Sequence, residues 1–349
     1  MDFHIASARP TPPNVLSASV FRLRWHLQGS ESPRAPGYAL PARSRRPRNR
    51  GKAQQLGITP KFAGERMLGY VLTPVPHEHW PAVRAALRAA FERFAELVLS
   101  APDPHARATA HWSIAVTAAH VSTTARLYRY LIPPGDPAAI VELIEDTTVD
   151  NLAALNERLL ESYTERDPRV IVDRIRDDVE HMLDASAELD PATPVRWLGG
   201  AKVPLAGALG HMLNEILVHS RDIAGPLRRT WTIAPADAAL VFDLFIAGLV
   251  RYDPGVFLDS DVRPRERRVA VEFRSPHTVP VTMVLHNGVV SAEDPGPGTD
   301  VRITFDPATL ILMLFHRIGK ARAVLSGKVR IAGPRPWLLP GFLRVVRAP

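Results

Sequence analysis

Glu215 and His219 stand four residues apart within the stretch 205–224, Leu-Ala-Gly-Ala-Leu-Gly-His-Met-Leu-Asn-Glu-Ile-Leu-Val-His-Ser-Arg-Asp-Ile-Ala. At about 100° per residue, Leu205, Leu209, Met212, Ile216 and Ile223 make one apolar stripe of a helix. His219 falls at the border of that stripe, with Glu215 a little further round. Side chains at i and i+4 point the same way from a helix. A carboxylate and an imidazole here would face at least partly inward, where an unpaired charge is costly. A metal ion is the compensator that suits this pair of ligand types. Alone, the pair says little, because E-x-x-x-H recurs in helices by chance and a weak surface contact is its ordinary meaning.

A second helix changes that reading. In the segment from residue 111 to about 131, Val116, Leu127 and Leu131 lie within about 40° of His120 by helical geometry. His120 is therefore another polar residue on an apolar stripe. His120, Glu215 and His219 together would make a His₂Glu set. Three protein ligands leave a position open for water or substrate, the pattern of a catalytic rather than a structural site. His211, one turn before Glu215, is a candidate fourth ligand whose angle places it further from the stripe. His77 and His79 form an H-x-H at a helix entrance, where a solvated loop is the default.

The elements that must position these residues are mostly helical. Trp80-Pro81 starts a helix with Val83, Leu87, Phe91, Phe94 and Leu97 on one face. A helix over 151–163 turns Leu152, Leu155, Leu159 and Leu160 inward. Another opens at Pro168 with Val170, Ile171, Ile175, Val179 and Met182 inward. A further helix covers 234–252. With the two helices above, these make a mostly helical domain with a four-helix bundle at its heart, in whose core metal sites are commonly built. After Tyr252 the periodicity changes. Residues 267–273, 279–285, 289–291, 301–305 and 329–331 read as strands, and His286-Asn287-Gly288 as a hairpin turn. Helices are expected at 307–317 and 337–346. The fold class is thus mixed, an N-terminal helical bundle followed by a small α+β domain.

The chain of 349 residues has no cysteine, so it offers no thiolate ligand and no thiol nucleophile. A thiol reaction would need a thiol from outside. Net charge is +7, but residues 1–60 alone carry ten basic residues against Asp2 and Glu31, so the remainder is close to neutral. No nucleic-acid partner is therefore expected for the folded part. Residues 1–66, rich in Pro, Ser and Arg, read as a disordered basic tail, and Met67 is an alternative start. No run reaches the roughly 18 apolar residues of a membrane helix. The longest candidate, 238–250, carries Asp243.

The spacing Trp112-x₇-His120, followed by Asn214-Glu215-x₃-His219-x₂-Asp222, resembles the mycothiol-dependent maleylpyruvate isomerase family. So do 300–305 (Asp-Val-Arg-Ile-Thr-Phe), 310–314 and 323–333 (Ala-Val-Leu-Ser-Gly-Lys-Val-Arg-Ile-Ala-Gly), which are similar to the sterol-carrier-type domain that those proteins often carry. The resemblance implies a DinB-like metal-binding helical bundle at 67–255 and a sterol-carrier-like domain at 256–349. It implies a divalent metal, zinc being expected, on His120, Glu215 and His219, with Asp222 orienting an imidazole. It further implies a cytoplasmic enzyme that takes mycothiol or a similar low-molecular-weight thiol and a small-molecule substrate. The reaction would be cis-trans isomerisation by thiol addition and elimination, or a related thiol S-transfer. Residues 105–111 depart from the family, which usually has a Pro-containing loop there. Arg126 and Arg221 are near the ligands in sequence as cationic contacts for substrate carboxylates. The alternative function is an apolar-ligand binding protein of lipid or sterol type, with Leu310, Ile311, Leu314, Leu338, Leu339 and Phe342 lining a tunnel or simply filling a core.

Overall fold

The apolar stripes fold as helices close to where the sequence places them. In the computed structural model, which describes residues 75–135, 140–252 and 267–346, α1 is His79–Leu99, α2 Ile114–Leu131, α3 Val141–Glu145, α4 Leu152–Ser162 and α5 Pro168–Ala185. A short antiparallel hairpin of β1 (Pro194–Arg196) and β2 (Lys202–Pro204) runs directly into α6 (Leu205–Ala224). Next come α7 (Pro235–Leu240), a π-helical stretch Val241–Ile246, and α8 (Ala247–Tyr252). The sheet region holds β3 (Val269–Arg274), β4 (Val281–His286), β5 (Val289–Glu293), β6 (Val301–Phe305), α9 (Pro307–Leu314), α10 (Lys320–Leu325), β7 (Val329–Ala332) and α11 (Leu339–Val345). Its strand order is β5-β4-β3-β6-β7, and only the central β3–β6 pair is parallel. The tail, residues 67–74 and the expected division near 253–260 lie outside the described residues.

The helical core follows from the stripes. Val83, Leu87, Phe91 and Phe94 of α1 are fully buried, as are Ile171, Ile175, Val179 and Met182 of α5. α6 packs on both α1 and α2, and α5 packs on the same two helices. Val170 and Leu152, read as inward, are only half-buried because each sits in the first turn of its helix. The second helix begins at Ile114 rather than His111. Ser113 is extended and its hydroxyl accepts the Val116 N–H, which caps α2 there. Trp112 is left just outside the helix, free to turn over the end of the site.

The hairpin at 286–288 forms as read, with Asn287 and Gly288 at φ of 50° and 78°. Two consecutive left-handed residues are what a tight right-twisting hairpin requires. The helix expected over 307–317 stops at Leu314, where His316 turns left-handed at φ 61°. The amides of Arg317 and Ile318 then fold back onto the Leu312 carbonyl, a closure that ends helices by satisfying their last acceptors. It reverses the chain and aims Arg317 at the helical region. The β1–β2 hairpin, α3 and α10 have too few residues to show periodicity, and the sequence reading missed them.

One contact fixes α6 against the π-helical stretch. A Cβ added at Gly207 would lie 2.6 Å from the Leu244 carbonyl oxygen and 3.2 Å from the Pro204 ring. Backbone is pressed on backbone there, with nothing flexible to yield. Gly207→Ala is therefore expected to destabilise the protein by about 1–3 kcal/mol, the usual cost of overpacking, read as a lower denaturation midpoint. An unchanged midpoint would show that the two helices can slide apart freely.

Candidate metal centre

Packing α2 against α6 brings His120, Glu215 and His219 together, with one ligand atom from each all within 4.8 Å of one another. Glu215 Oε2 is 3.0 Å from His120 Nε2 and 3.5 Å from His219 Nε2. Both histidines are buried. Their rings meet edge to face at 4.9 Å, and the Trp112 ring lies 4.9 Å from that of His120. His120 Nδ1 is buried without a hydrogen-bond partner.

The surrounding groups settle which nitrogen of His219 carries a proton. Asp222 Oδ2 lies 3.1 Å from His219 Nδ1. Arg317 braces the same carboxylate, with Nη2 at 2.6 Å and Nε at 3.2 Å. A carboxylate only accepts, so His219 Nδ1 donates to it. In a neutral imidazole Nε2 is then a bare lone pair, and it faces the Glu215 carboxylate. Two acceptors at 3.5 Å need a cation between them, either a proton or a metal. Burial opposes charge on His219, but Asp222 and Glu215 outweigh it and raise its pKa. Burial likewise opposes charge on Glu215, yet contacts from His120, His211 and His219 hold its carboxyl well below the usual range. His120 moves the other way, lowered chiefly by burial.

His211, placed off the stripe by its angle, belongs to this cluster. Its Nε2 lies 3.3 Å from Glu215 Oε1 and its Nδ1 2.6 Å from the Tyr128 hydroxyl. The Trp197 indole N–H donates to that hydroxyl at 3.0 Å. The Glu215 carboxylate can only accept, so His211 Nε2 donates to it, and in the tautomer protonated there Nδ1 accepts the Tyr128 proton. The chain Trp197–Tyr128–His211 thus grips the Glu215 oxygen that does not face the other two histidines. His211 is not in the three-residue group that converges. The i, i+4 spacing to Glu215 was the available signal, and the partners from α2 and from beside the β1–β2 hairpin were not.

Asp222 sits beside His219 Nδ1, where the resemblance implied an orienting carboxylate. The arginines named from sequence are elsewhere. Arg126 pairs with buried Asp178 of α5, and neither it nor Arg221 lines the cavity. The arginine that does is Arg317, from the sheet region. His77 and His79 are not in the cluster, and His79 begins α1. The cavity over the centre has a volume of ≈ 220 Å³. Leu127, Leu131, Ile144, Leu152 and Leu155 line it together with the histidines, and Phe315 and Arg317 line it from the sheet region.

Residues 84–224, from within α1 to the end of α6, match the profile of the mycothiol maleylpyruvate isomerase N-terminal domain. This part of the chain is similar to that domain family. The matched span contains His120, His211, Glu215, His219 and Asp222 and excludes Arg317. Among solved structures, a mycothiol-dependent maleylpyruvate isomerase is similar at 14% identity and a TM-score of 0.41, covering 72% of this chain and 92% of its own. A histidine-to-alanine mutant of such an isomerase is similar at 13% identity and a TM-score of 0.38, covering 66% of this chain and 87% of its own. A sec-alkylsulfatase, Pisa1 from Pseudomonas sp., is similar at 12% identity and a TM-score of 0.25, covering 66% of this chain and 32% of its own. No curated protein sequence matches. Among the described residues no helix is long and apolar enough to cross a membrane.

Proposed function

We propose that the helical region is a DinB-like four-helix bundle that holds one divalent metal ion, zinc being expected, through His120, Glu215 and His219. On this reading the protein is a cytoplasmic enzyme using mycothiol or a similar low-molecular-weight thiol, as an isomerase by addition and elimination or as a thiol S-transferase. The observation that carries the metal is the convergence of one ligand atom each from His120, Glu215 and His219 within 4.8 Å, with Asp222 at His219 Nδ1 so that Nε2 is the nitrogen turned to the centre. Two imidazoles and one carboxylate are a ligand set suited to zinc with a position left open. A bound divalent ion would supply a positive charge that lowers the pKa of an incoming thiol. The chain's own residues do the rest. Asp222 and Arg317 fix the His219 ring, His211 fixes the Glu215 carboxylate, and Trp112 with the leucines gives the cavity a largely apolar lining.

The test is metal content and a sulfur signal. Full-length protein loaded with cobalt should bind about one ion per chain and release protons as it does so. A low-molecular-weight thiol should then add a sulfur-to-cobalt charge-transfer band. Replacing His120, Glu215 and His219 together by alanine should abolish both. Unchanged metal content in that triple variant would sink the reading.

A second reading is carried by a separate apolar cavity of ≈ 130 Å³ between the π-helical stretch and the sheet region. Leu310, Leu314, Leu339 and Phe342 line it, whereas Ile311 and Leu338 do not. An engineered cavity of about 150 Å³ accommodates benzene, so this one is too small for a sterol. A sterol-carrier-like domain here, spanning 256–349, would act on a benzene-sized group or as a structural partner. Lipid extraction of the purified protein checks it, and a co-purifying sterol would overturn the size argument.

A further inference from the structure

The cavity over the candidate centre says what kind of second reactant it admits. Trp112, Leu127, Leu131, Leu152, Leu155 and Phe315 give the cavity a largely apolar lining beside the three candidate ligands. Among the described lining residues Arg317 is the one guanidinium or ammonium group. It is already committed: Nε and Nη2 donate to Asp222, and Nη1 donates to the Phe315 carbonyl at 2.7 Å. Five N–H donors minus those three leave two, one on Nη1 and one on Nη2, enough for one bidentate carboxylate.

Charge accounting agrees. Arg317 is cancelled by Asp222, which lies 2.6 Å away and is itself buried to 8% side-chain exposure. At the centre, a divalent ion would be reduced to one net positive charge by Glu215, and a thiolate would remove that one. A first carboxylate still finds the two remaining N–H groups of Arg317, whereas a second would lie uncompensated against the apolar lining, which is costly.

We infer that this site takes a small, largely apolar second reactant carrying at most one anionic group, in preference to a dicarboxylate. The charge count rests on the metal reading proposed above; the apolar lining does not. The apolar part lies against Leu127, Leu152 and Leu155, and a single carboxylate or similar group reaches the free edge of Arg317.

The experiment compares two acids on the zinc-loaded full chain, followed by quenching of Trp112 and Trp197, which both line the cavity. 3-Phenylpropionate carries one carboxylate and an aryl tail, and maleate carries two carboxylates. Phenylpropionate is expected to bind at least about tenfold more tightly, the ratio given by roughly 1.4 kcal/mol of differential desolvation. Leu127→Asn and Leu152→Asn, both at half-buried positions, should each cut that preference about threefold or more by the same arithmetic while leaving maleate unaffected. The zinc-free protein should still prefer phenylpropionate. Loss of zinc binding with the preference intact would tell against the metal and not against this inference. Equal or tighter binding of maleate, or no quenching by either acid, overturns it.

Discussion

Glu215→Gln is expected to weaken binding of cobalt or zinc by at least about 100-fold. Removing a group that merely orients a metal ligand typically costs about 10–100-fold, and Glu215 is placed to be a ligand itself. Glutamine keeps the volume and one carbonyl oxygen, so the loss reports charge and not shape. Glu215 is also the group on which three imidazoles converge: His120 and His219 at one oxygen, His211 at the other. Without its negative charge those rings would have to share a cation with no anion to balance it. Competition with a chromogenic chelator on the full-length protein measures the constant directly. An affinity within threefold of the parent, on the scale where tenfold is about 1.4 kcal/mol, would mean that the metal sits elsewhere.

Asp243→Asn is expected to make the protein more stable above neutral pH and to flatten its pH dependence. Asp243 lies in the π-helical stretch, 6% exposed, and accepts the Val279 N–H at 3.1 and 3.2 Å. Burial pushes its carboxyl from 3.8 up to about 7, against the Val279 hydrogen bond and the more distant Arg251. The folded protein therefore holds this proton more tightly than the unfolded chain does. The stability it contributes is complete below about pH 4 and is lost as pH rises through about 7. About three units at roughly 1.4 kcal/mol each set a scale of about 4 kcal/mol. Asparagine keeps an oxygen for Val279 and has nothing to ionise. Chemical denaturation at pH 5 and pH 8 should show the parent losing stability between them and the variant losing much less. Parallel pH profiles would show that Asp243 is not strained by its burial.

The sequence revealed those parts of the candidate centre that a helix repeats. His120 was legible because it stands on an apolar stripe, and Glu215 and His219 because their i, i+4 spacing sets them at and beside the border of another. His211 was not, because its position on the helical wheel placed it off that stripe, and its partners Tyr128 and Trp197 are set by packing between segments far apart in the chain. Arg317 could not be read at all. It reaches Asp222 only because His316 turns left-handed and ends α9 early, and a histidine at that position does not announce such a turn. The π-helical stretch, which buries Asp243 against the sheet region, likewise has the periodicity of an ordinary helix over so few residues. The strands of the sheet region were legible from alternation, and their order was not, since pairing β3 with β6 depends on contacts across thirty residues.

The brace between Asp222 and Arg317 sets a timetable for biosynthesis. Once Asp222 has been made, the ribosome must add 95 residues to reach Arg317, which takes about 5–20 s at ordinary elongation rates. Throughout that interval the nascent chain already carries His120, Glu215 and His219, yet the carboxylate behind His219 has no guanidinium to hold it. On the metal reading proposed above, an ion captured then would meet a looser centre than the finished one.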